Sequence, residues 1–161
     1  MELDVSRSSG PHAVLARMVG QWRGTARLWL EPDVLTWEDT VEGRIEPVLD
    51  GRFVRHDYTT PIDGEVHTGI ALIGASLGAL AWQVAWVDTF HNGTDIMLST
   101  GPIDPGATSV DVLGSYGAPA GPPWGWRTTM VPSDGRLRVR HFNITPEGRE
   151  ALGAELDYSP A

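Results

Sequence analysis

Two residues capable of proton chemistry stand close together in the segment Trp86-Val87-Asp88-Thr89-Phe90-His91. A carboxylate beside an imidazole can serve as a general base or contribute to a metal site. Asp88 and His91 are three positions apart, so on an ideal strand their side chains face opposite ways. A bulge or turn near Asn92-Gly93 would bring them together. The spacing therefore favours a polar strand end, in which the carboxylate caps the backbone, over a direct Asp–His pair.

His141 is the second candidate, because it lies in the middle of a predicted strand. It alternates with Leu137 and Val139, which are apolar, so we expect its side chain to share their interior face. A lone interior histidine is either a hydrogen-bonded core residue or an axial ligand of haem iron. Ligation of haem also needs a wide apolar slot, which the sequence does not reveal. We expect no cofactor, with haem on His141 as the alternative.

Aromatic residues are the third signal, with seven tryptophans in 161 residues. Tryptophan, tyrosine and arginine are typical of an aromatic-lined binding site with a few polar anchors. Arg127 could pair with a ligand carboxylate, or with Asp88 or another acid of the chain. The sequence predicts that a small, partly apolar molecule contacts a set of aromatic and polar residues: Trp86, Asp88, Tyr116, Trp124, Trp126, Arg127, His141 and Tyr158.

Composition excludes several classes of function. The formal net charge of −9 repels phosphate backbones and anionic lipids, so neither nucleic acid nor a membrane is an expected partner. All twelve basic residues are arginine, which excludes Schiff-base chemistry on lysine. The chain has no cysteine, which excludes disulfides and thiolate nucleophiles and is consistent with a cytoplasmic protein. The histidines are too loosely spaced to predict a metal site.

The elements that must position these residues follow from the turn pattern. Residues 1–9 are polar and expected to be disordered or frayed, while residues 10–161 are expected to form a single domain. Val14, Leu15, Met18 and Val19 share one face of a short helix that ends at Gly20, and the acidic start of the chain does not resemble a secretory signal.

From Gln21 onward, Asp-Gly and Asn-Gly pairs separate short apolar-containing segments, a pattern typical of antiparallel hairpins. Ten segments are predicted to be strands: 21–30, 37–49, 52–60, 65–74, 80–91, 94–100, 109–116, 125–131, 136–144 and 151–158. Polar and apolar residues occur on both faces of many of them. This mixture favours an all-β, closed up-and-down antiparallel barrel of about ten strands, with a short N-terminal helix and a partly polar cavity.

The segments LARMVGQWRGTARLWLEP, LDGRFVRHDY, TGIALIGAS, AWVDTFHNG, WGWRTTM and AELDYSP occur in this order between Leu15 and Pro160. The most specific are Gly20-Gln21-Trp22-Arg23-Gly24 and Trp124-Gly125-Trp126-Arg127. Together they resemble a bacterial lipocalin-like family known as domain of unknown function 1579. The resemblance implies a calycin-type barrel and supplies no catalytic residues. Haem-binding nitrobindin-like barrels share the G-x-W-x-G opening, which adds to the haem alternative.

We therefore predict a non-enzymatic carrier or sensor of a small, partly apolar molecule. One alternative is an isomerase or hydrolase that uses Asp88, His91 or His141 as a base in the same cavity, which requires an interior carboxylate within hydrogen-bond reach of a histidine. Haem binding through His141 is another. A homodimer formed through a partly apolar barrel wall is also predicted as a possible assembly.

Overall fold

Ten strands, each antiparallel to its sequence neighbours, form a closed barrel in which β1 pairs with β10. The computed structural model describes all residues 1–161. The elements are α1 (Leu3–Ser9), α2 (Pro11–Met18), β1 (Gly20–Leu28), β2 (Trp37–Val48), β3 (Phe53–Ile62), β4 (Glu65–Ser76), β5 (Ala81–Asp88), β6 (Met97–Pro102), β7 (Val110–Tyr116), β8 (Trp124–Ser133), β9 (Arg136–Ile144) and β10 (Glu150–Pro160). The predicted all-β up-and-down barrel with a short N-terminal helix is confirmed.

The hairpin between β3 and β4 illustrates how turn residues set the topology. Asp63 and Gly64 form its whole loop and have φ angles of 51° and 79°. Two consecutive positive φ angles define a type I′ turn, whose twist matches that of the strands that it joins. Turns of this kind leave no length for a crossover, so each strand pairs with the next one along the chain.

The start of the chain differs from its prediction, because residues 3–9 form helix α1 where a frayed segment is expected. Ser6 is buried, and its hydroxyl group lies 2.8 Å from Nδ1 of His12 in α2. Nε2 of His12 in turn donates to the carbonyl group of Arg52, 3.2 Å away, beside the β2–β3 turn. Helices this short are stable only when packed. These contacts join residues far apart in sequence, which local polarity does not reveal.

Helix α2 closes the end of the barrel at which β1 begins. Val14, Leu15 and Met18 face the interior and are buried, with Met18 completely inaccessible to solvent. Nε1 of Trp22 donates to the carbonyl group of Met18 at 2.9 Å, which fixes the end of α2 against the first strand. The opposite end carries the loops 29–36, 63–64, 89–96, 117–123 and 145–149 and has no helix across it. Neither helix has the length and apolar character needed to cross a membrane.

Candidate functional site

Three neighbouring cavities lie inside the end of the barrel opposite α2. The two outer cavities share Leu28, Trp86 and His91 in their walls, and the deepest shares Tyr58, Trp86 and His141 with the first. The volume that the centre of a water molecule can occupy is about 50 Å³ in the first outer cavity, about 180 Å³ in the second and about 20 Å³ in the deepest. Since one water needs roughly 10–15 Å³ by this measure, the outer cavities accept a small guest and the deepest holds about one water.

Asp88 and His91 form a direct pair at the mouth of these cavities. Strand β5 ends at Asp88, and Oδ1 of this residue accepts hydrogen bonds from the backbone N–H groups of His91 at 2.6 Å and of Asn92 at 2.8 Å. The resulting turn folds His91 back, so that its Nδ1 lies 2.6 Å from Oδ2 of Asp88. The expected capping of the backbone by Asp88 is confirmed, and the direct pair with His91, which period-2 geometry disfavoured, is present as well because the strand ends at Asp88.

The electrostatic state of this pair follows from its hydrogen bonds. Burial alone would raise the pKa of Asp88, but the hydrogen bonds from His91 and Asn92 hold that pKa below its ordinary value. An ionised Asp88 accepts a proton-bearing Nδ1, which leaves Nε2 of His91 with a free lone pair when the imidazole is neutral. Nε2 makes no hydrogen bond within the protein. The arrangement is that of a histidine oriented by a carboxylate for acid–base work.

Three aromatic rings pack closely beside the pair. The ring of His141 stacks on Trp86 with centroids 5.0 Å apart and on Trp126 with centroids 5.4 Å apart, while the two indoles are 5.6 Å from each other. The His91 ring lies 5.4 Å from each indole. Nδ1 of His141 is 2.9 Å from the hydroxyl oxygen of Thr128. Burial lowers the pKa of His141 to about 3, so this ring is neutral at neutral pH.

Tyr58 belongs to the site, although it was not predicted there. Its hydroxyl oxygen accepts a hydrogen bond from Nε1 of Trp86 at 3.0 Å. Gly69 lies opposite both Tyr58 and Asp88 in the sheet, and a Cβ atom on Gly69 would collide with the Tyr58 ring. Tyr58 follows His56 at a spacing of two residues on β3, and His56 is buried. Strand alternation from His56 could therefore have placed Tyr58 inside.

Trp126 carries a buried donor without an acceptor. The residue is only 4% exposed, lines the larger outer cavity, and its Nε1 has no hydrogen-bond partner. Tyr116 lies edge-on to it with centroids 6.0 Å apart, but the Tyr116 hydroxyl group donates to Oδ1 of Asn143 at 2.6 Å. The nitrogen itself has almost no accessible surface, so Trp126 presents the apolar part of its ring to the cavity.

The structure gathers five of the predicted site residues around the cavities: Trp86, Asp88, Tyr116, Trp126 and His141. Arg127 is a correction. It follows Trp126 on β8 and so faces outward, where its guanidinium group pairs with Asp111 at 2.6 and 2.9 Å and with Glu150 at 3.1 Å. It therefore cannot anchor a ligand in the interior. The alternative expectation, that Arg127 pairs with an acid of the chain, is confirmed, but the acids are Asp111 and Glu150 and not Asp88.

Two further predicted residues lie away from the cavities. Trp124 stands at the start of β8 and lines a groove at the rim that adjoins the larger outer cavity through the shared residues Trp29, Leu30 and Asn143. Tyr158 is completely buried near the closed end, and its hydroxyl group lies 3.0 Å from Nε2 of His56. Tyr158 is therefore a core residue, because the last strand runs back toward α2 and carries it past the open end.

The residues around His141 do not fit haem. Both indoles stack on the His141 ring, and the adjoining space has a volume of about 20 Å³, so a macrocycle would have to displace Trp86 or Trp126. An axial histidine needs a wide apolar slot in front of its free nitrogen. No group of three or more histidine, aspartate or glutamate side chains is arranged to hold a metal ion.

Comparison with known proteins gives a family and no activity. A family model described as a protein of unknown function (DUF1579) matches residues 7–159. No curated protein matches the chain. The match covers the end of α1, all of α2 and all ten strands nearly to the end of β10.

Proposed function

We propose, for a chain that belongs to this DUF1579 family, that the open end of the barrel binds a small, partly apolar molecule. The observation that carries the proposal is the cavity of about 180 Å³ at the open end, which Trp86, Tyr116 and Trp126 line with aromatic surface. A small guest there would be held between aromatic walls.

The chemistry of the guest follows from the free groups of the cavity walls. Trp86 and Trp126 offer flat apolar surface, so they favour a flat, unsaturated molecule. Nε2 of His91 supplies an acceptor when the imidazole is neutral, so the guest gains from one donor group. Arg27 lines the first cavity but pairs with Glu38 at 2.6 Å and Glu155 at 3.0 Å. A carboxylate ligand therefore finds no free cation there.

Native mass spectrometry with a panel of small aromatic and cyclic carbonyl compounds tests the proposal, with quenching of tryptophan fluorescence as a second measurement. We expect one-to-one complexes and a Trp126→Ala variant that binds roughly tenfold more weakly, because part of the aromatic wall is lost. Trp124→Ala is the matched control, because Trp124 lines the adjoining groove and not this cavity, and it should bind like the unmodified protein. Retention of no compound, or equal loss of affinity in the two variants, would contradict the proposal.

A second candidate function, an isomerase or hydrolase in the same cavity, is favoured by one specific observation. The Asp88 carboxylate lies 2.6 Å from Nδ1 of His91, which meets the requirement for an interior acid within reach of a histidine. A carrier has no need of such a pair. The pair also closes the turn at the end of β5, so its presence alone is compatible with a structural role.

A further inference from the structure

We propose that the deepest cavity of the barrel seats the hydroxyl group of a small, neutral alcohol whose carbon skeleton occupies the first outer cavity. This inference rests on the proposed binding function and deepens it by naming the ligand class. It assigns His56, Ser99 and His141 as the residues that hold the hydroxyl group.

Three polar atoms in the wall of the deepest cavity have no partner within the protein. They are Nδ1 of His56, Nε2 of His141 and Oγ of Ser99, which belong to residues only 2%, 8% and 5% exposed. The other nitrogen of each imidazole is engaged, with Tyr158 at 3.0 Å for His56 and with Thr128 at 2.9 Å for His141. Buried polar groups are almost always paired, so three unpaired atoms around one cavity indicate a missing partner.

A guest can reach these atoms, unlike the unpaired Nε1 of Trp126. That nitrogen and Nε of Arg138 are the two unpaired side-chain atoms of the buried residues that have almost no accessible surface. The three atoms of the deepest cavity are unpaired without being sealed in this way, so each borders space that a small atom can enter. The space of about 20 Å³ accepts one oxygen atom, since one water needs roughly 10–15 Å³ by the same measure.

Hydrogen-bond satisfaction assigns the protons of the two imidazoles. Tyr158 is completely buried and its hydroxyl group has only Nε2 of His56 as a partner, so it donates there and leaves the His56 proton on Nδ1. Thr128 donates in the same way to Nδ1 of His141, which leaves that proton on Nε2. Burial lowers the pKa of His56 to about 4 and that of His141 to about 3, so each ring is neutral. The cavity therefore presents two N–H donors and the oxygen of Ser99.

A hydroxyl group matches this set of atoms. Its oxygen has two lone pairs, which accept from the two imidazole N–H groups, and its hydrogen donates to Oγ of Ser99. A carbonyl oxygen would use both lone pairs on the imidazoles and leave Ser99 unpaired. A carboxylate or ammonium group would bury its charge in a cavity that no charged residue lines, which is costly.

The carbon skeleton of the alcohol has room in the adjoining space. Four residues line both the first outer cavity and the deepest one: Tyr58, Trp86, His141 and Leu156. The first outer cavity has about 50 Å³ open to the centre of a water molecule, which is the space of roughly four waters. A ring of about five carbon atoms therefore fits there, with its hydroxyl group directed inward.

Isothermal titration calorimetry with cyclopentanol, methylcyclopentane, cyclopentanone and cyclopentylamine tests the inference, because these probes differ only in what the ring carries. We expect cyclopentanol to bind roughly tenfold or more tightly than methylcyclopentane, since its hydroxyl group pairs with all three free atoms. Cyclopentanone should bind more weakly than cyclopentanol, and the amine, which is charged at neutral pH, more weakly still.

Ser99→Ala isolates the contact with the hydroxyl group. Because Oγ of Ser99 has no partner within the protein, its removal breaks no hydrogen bond of the fold. We expect this variant to bind cyclopentanol roughly fivefold more weakly, and methylcyclopentane as well as the unmodified protein does. Ser115→Ala, on the exposed face of β7, is the matched control and should bind both probes like the unmodified protein.

The outcomes separate this inference from the binding function. Equal affinity for cyclopentanol and methylcyclopentane, or an equal loss of affinity for both in Ser99→Ala, overturns the hydroxyl site and leaves the binding function standing. A crystal structure with cyclopentanol that keeps a water molecule in the deepest cavity, with the hydroxyl group elsewhere, overturns it as well. Failure of all four probes to bind overturns the alcohol as the ligand class, whereas binding of other compounds in native mass spectrometry would still support the carrier.

Discussion

Acid is expected to destabilise this barrel because two histidines are enclosed within it in their neutral form. Burial lowers the pKa of His141 to about 3 and that of His56 to about 4, against about 6.5 for an exposed histidine. Between pH 6.5 and 4 the unfolded chain binds protons at both positions and the folded chain does not. The free energy of unfolding therefore rises with pH through this window and falls as the solution is acidified.

The expected effect is large relative to the stability of an ordinary domain. Each unit of pKa difference corresponds to somewhat more than 1 kcal/mol, so two buried histidines over two pH units give roughly 5 kcal/mol. Domains of this size have a total stability of about 5–15 kcal/mol. The lowered pKa of Asp88 acts in the same direction, but only below about pH 4, where its carboxylate is protonated first in the unfolded chain.

Urea unfolding followed by tryptophan fluorescence at pH 7, 6 and 5 measures this dependence. His141→Gln and His56→Gln should each remove a large part of the slope of unfolding free energy against pH, since glutamine can keep one hydrogen bond and does not titrate. A smaller contribution remains from His12, whose pKa is also lowered by burial. His67→Gln, at a position that is only partly buried at the rim, is the control for the substitution itself. Equal stability at pH 7 and pH 5, or an unchanged slope in both interior variants, would refute the reasoning.

Three other expectations concern packing and assembly. Gly69→Ala should push Tyr58 away from Trp86, because the new Cβ atom would collide with the Tyr58 ring. We expect the free energy of unfolding, measured by thermal unfolding, to fall by about 1–3 kcal/mol. A near-UV circular dichroism spectrum identical to that of the unmodified protein would contradict the predicted clash. Met18→Ala should cost about 2–5 kcal/mol by opening a cavity under α2, and a loss below 1 kcal/mol in urea unfolding would show that α2 is not a tight closure. The homodimer stays a prediction. The outward residues of β4, β5 and β6 carry no charge on a protein of net charge −9, so a second copy can approach there without facing carboxylates. Leu98 is 70% exposed on β6, at one side of this face, and Leu98→Arg should shift a dimer to monomer in light scattering. A monomer at every concentration of the unmodified protein would exclude the assembly.

The fold was predictable because each turn carries its own chemistry. Asp63-Gly64 has the positive φ angles that such a pair favours, and the ten predicted segments correspond to the ten strands. The predicted bounds fail where a side chain caps the end of a strand. The predicted strand 80–91 ends at Asp88, because the side chain of Asp88 binds the following backbone, and β6 begins only at Met97 after the intervening loop.

The site was predictable in part, for a geometric reason. Trp126 and Arg127 are adjacent on one strand, so only one of them can face the interior, and the choice depends on barrel register. Register also decides that Tyr158 falls near α2 rather than at the open end. The Asp88–His91 pair lies at the end of a strand, where period-2 alternation stops applying. Nothing in the sequence marks Tyr58 as a site residue except its spacing of two positions from His56.

The pairing of the first strand with the last has a consequence for synthesis of the protein. Trp22 lies opposite Pro160 and Leu28 opposite Ala154, so the wall stays open until residues near 160 have left the ribosome. Until then β1 and β9 each present an unpaired edge, and such edges invite pairing with other chains. A nascent chain paused before β10 would thus be the form of this protein most exposed to aggregation and most in need of a chaperone.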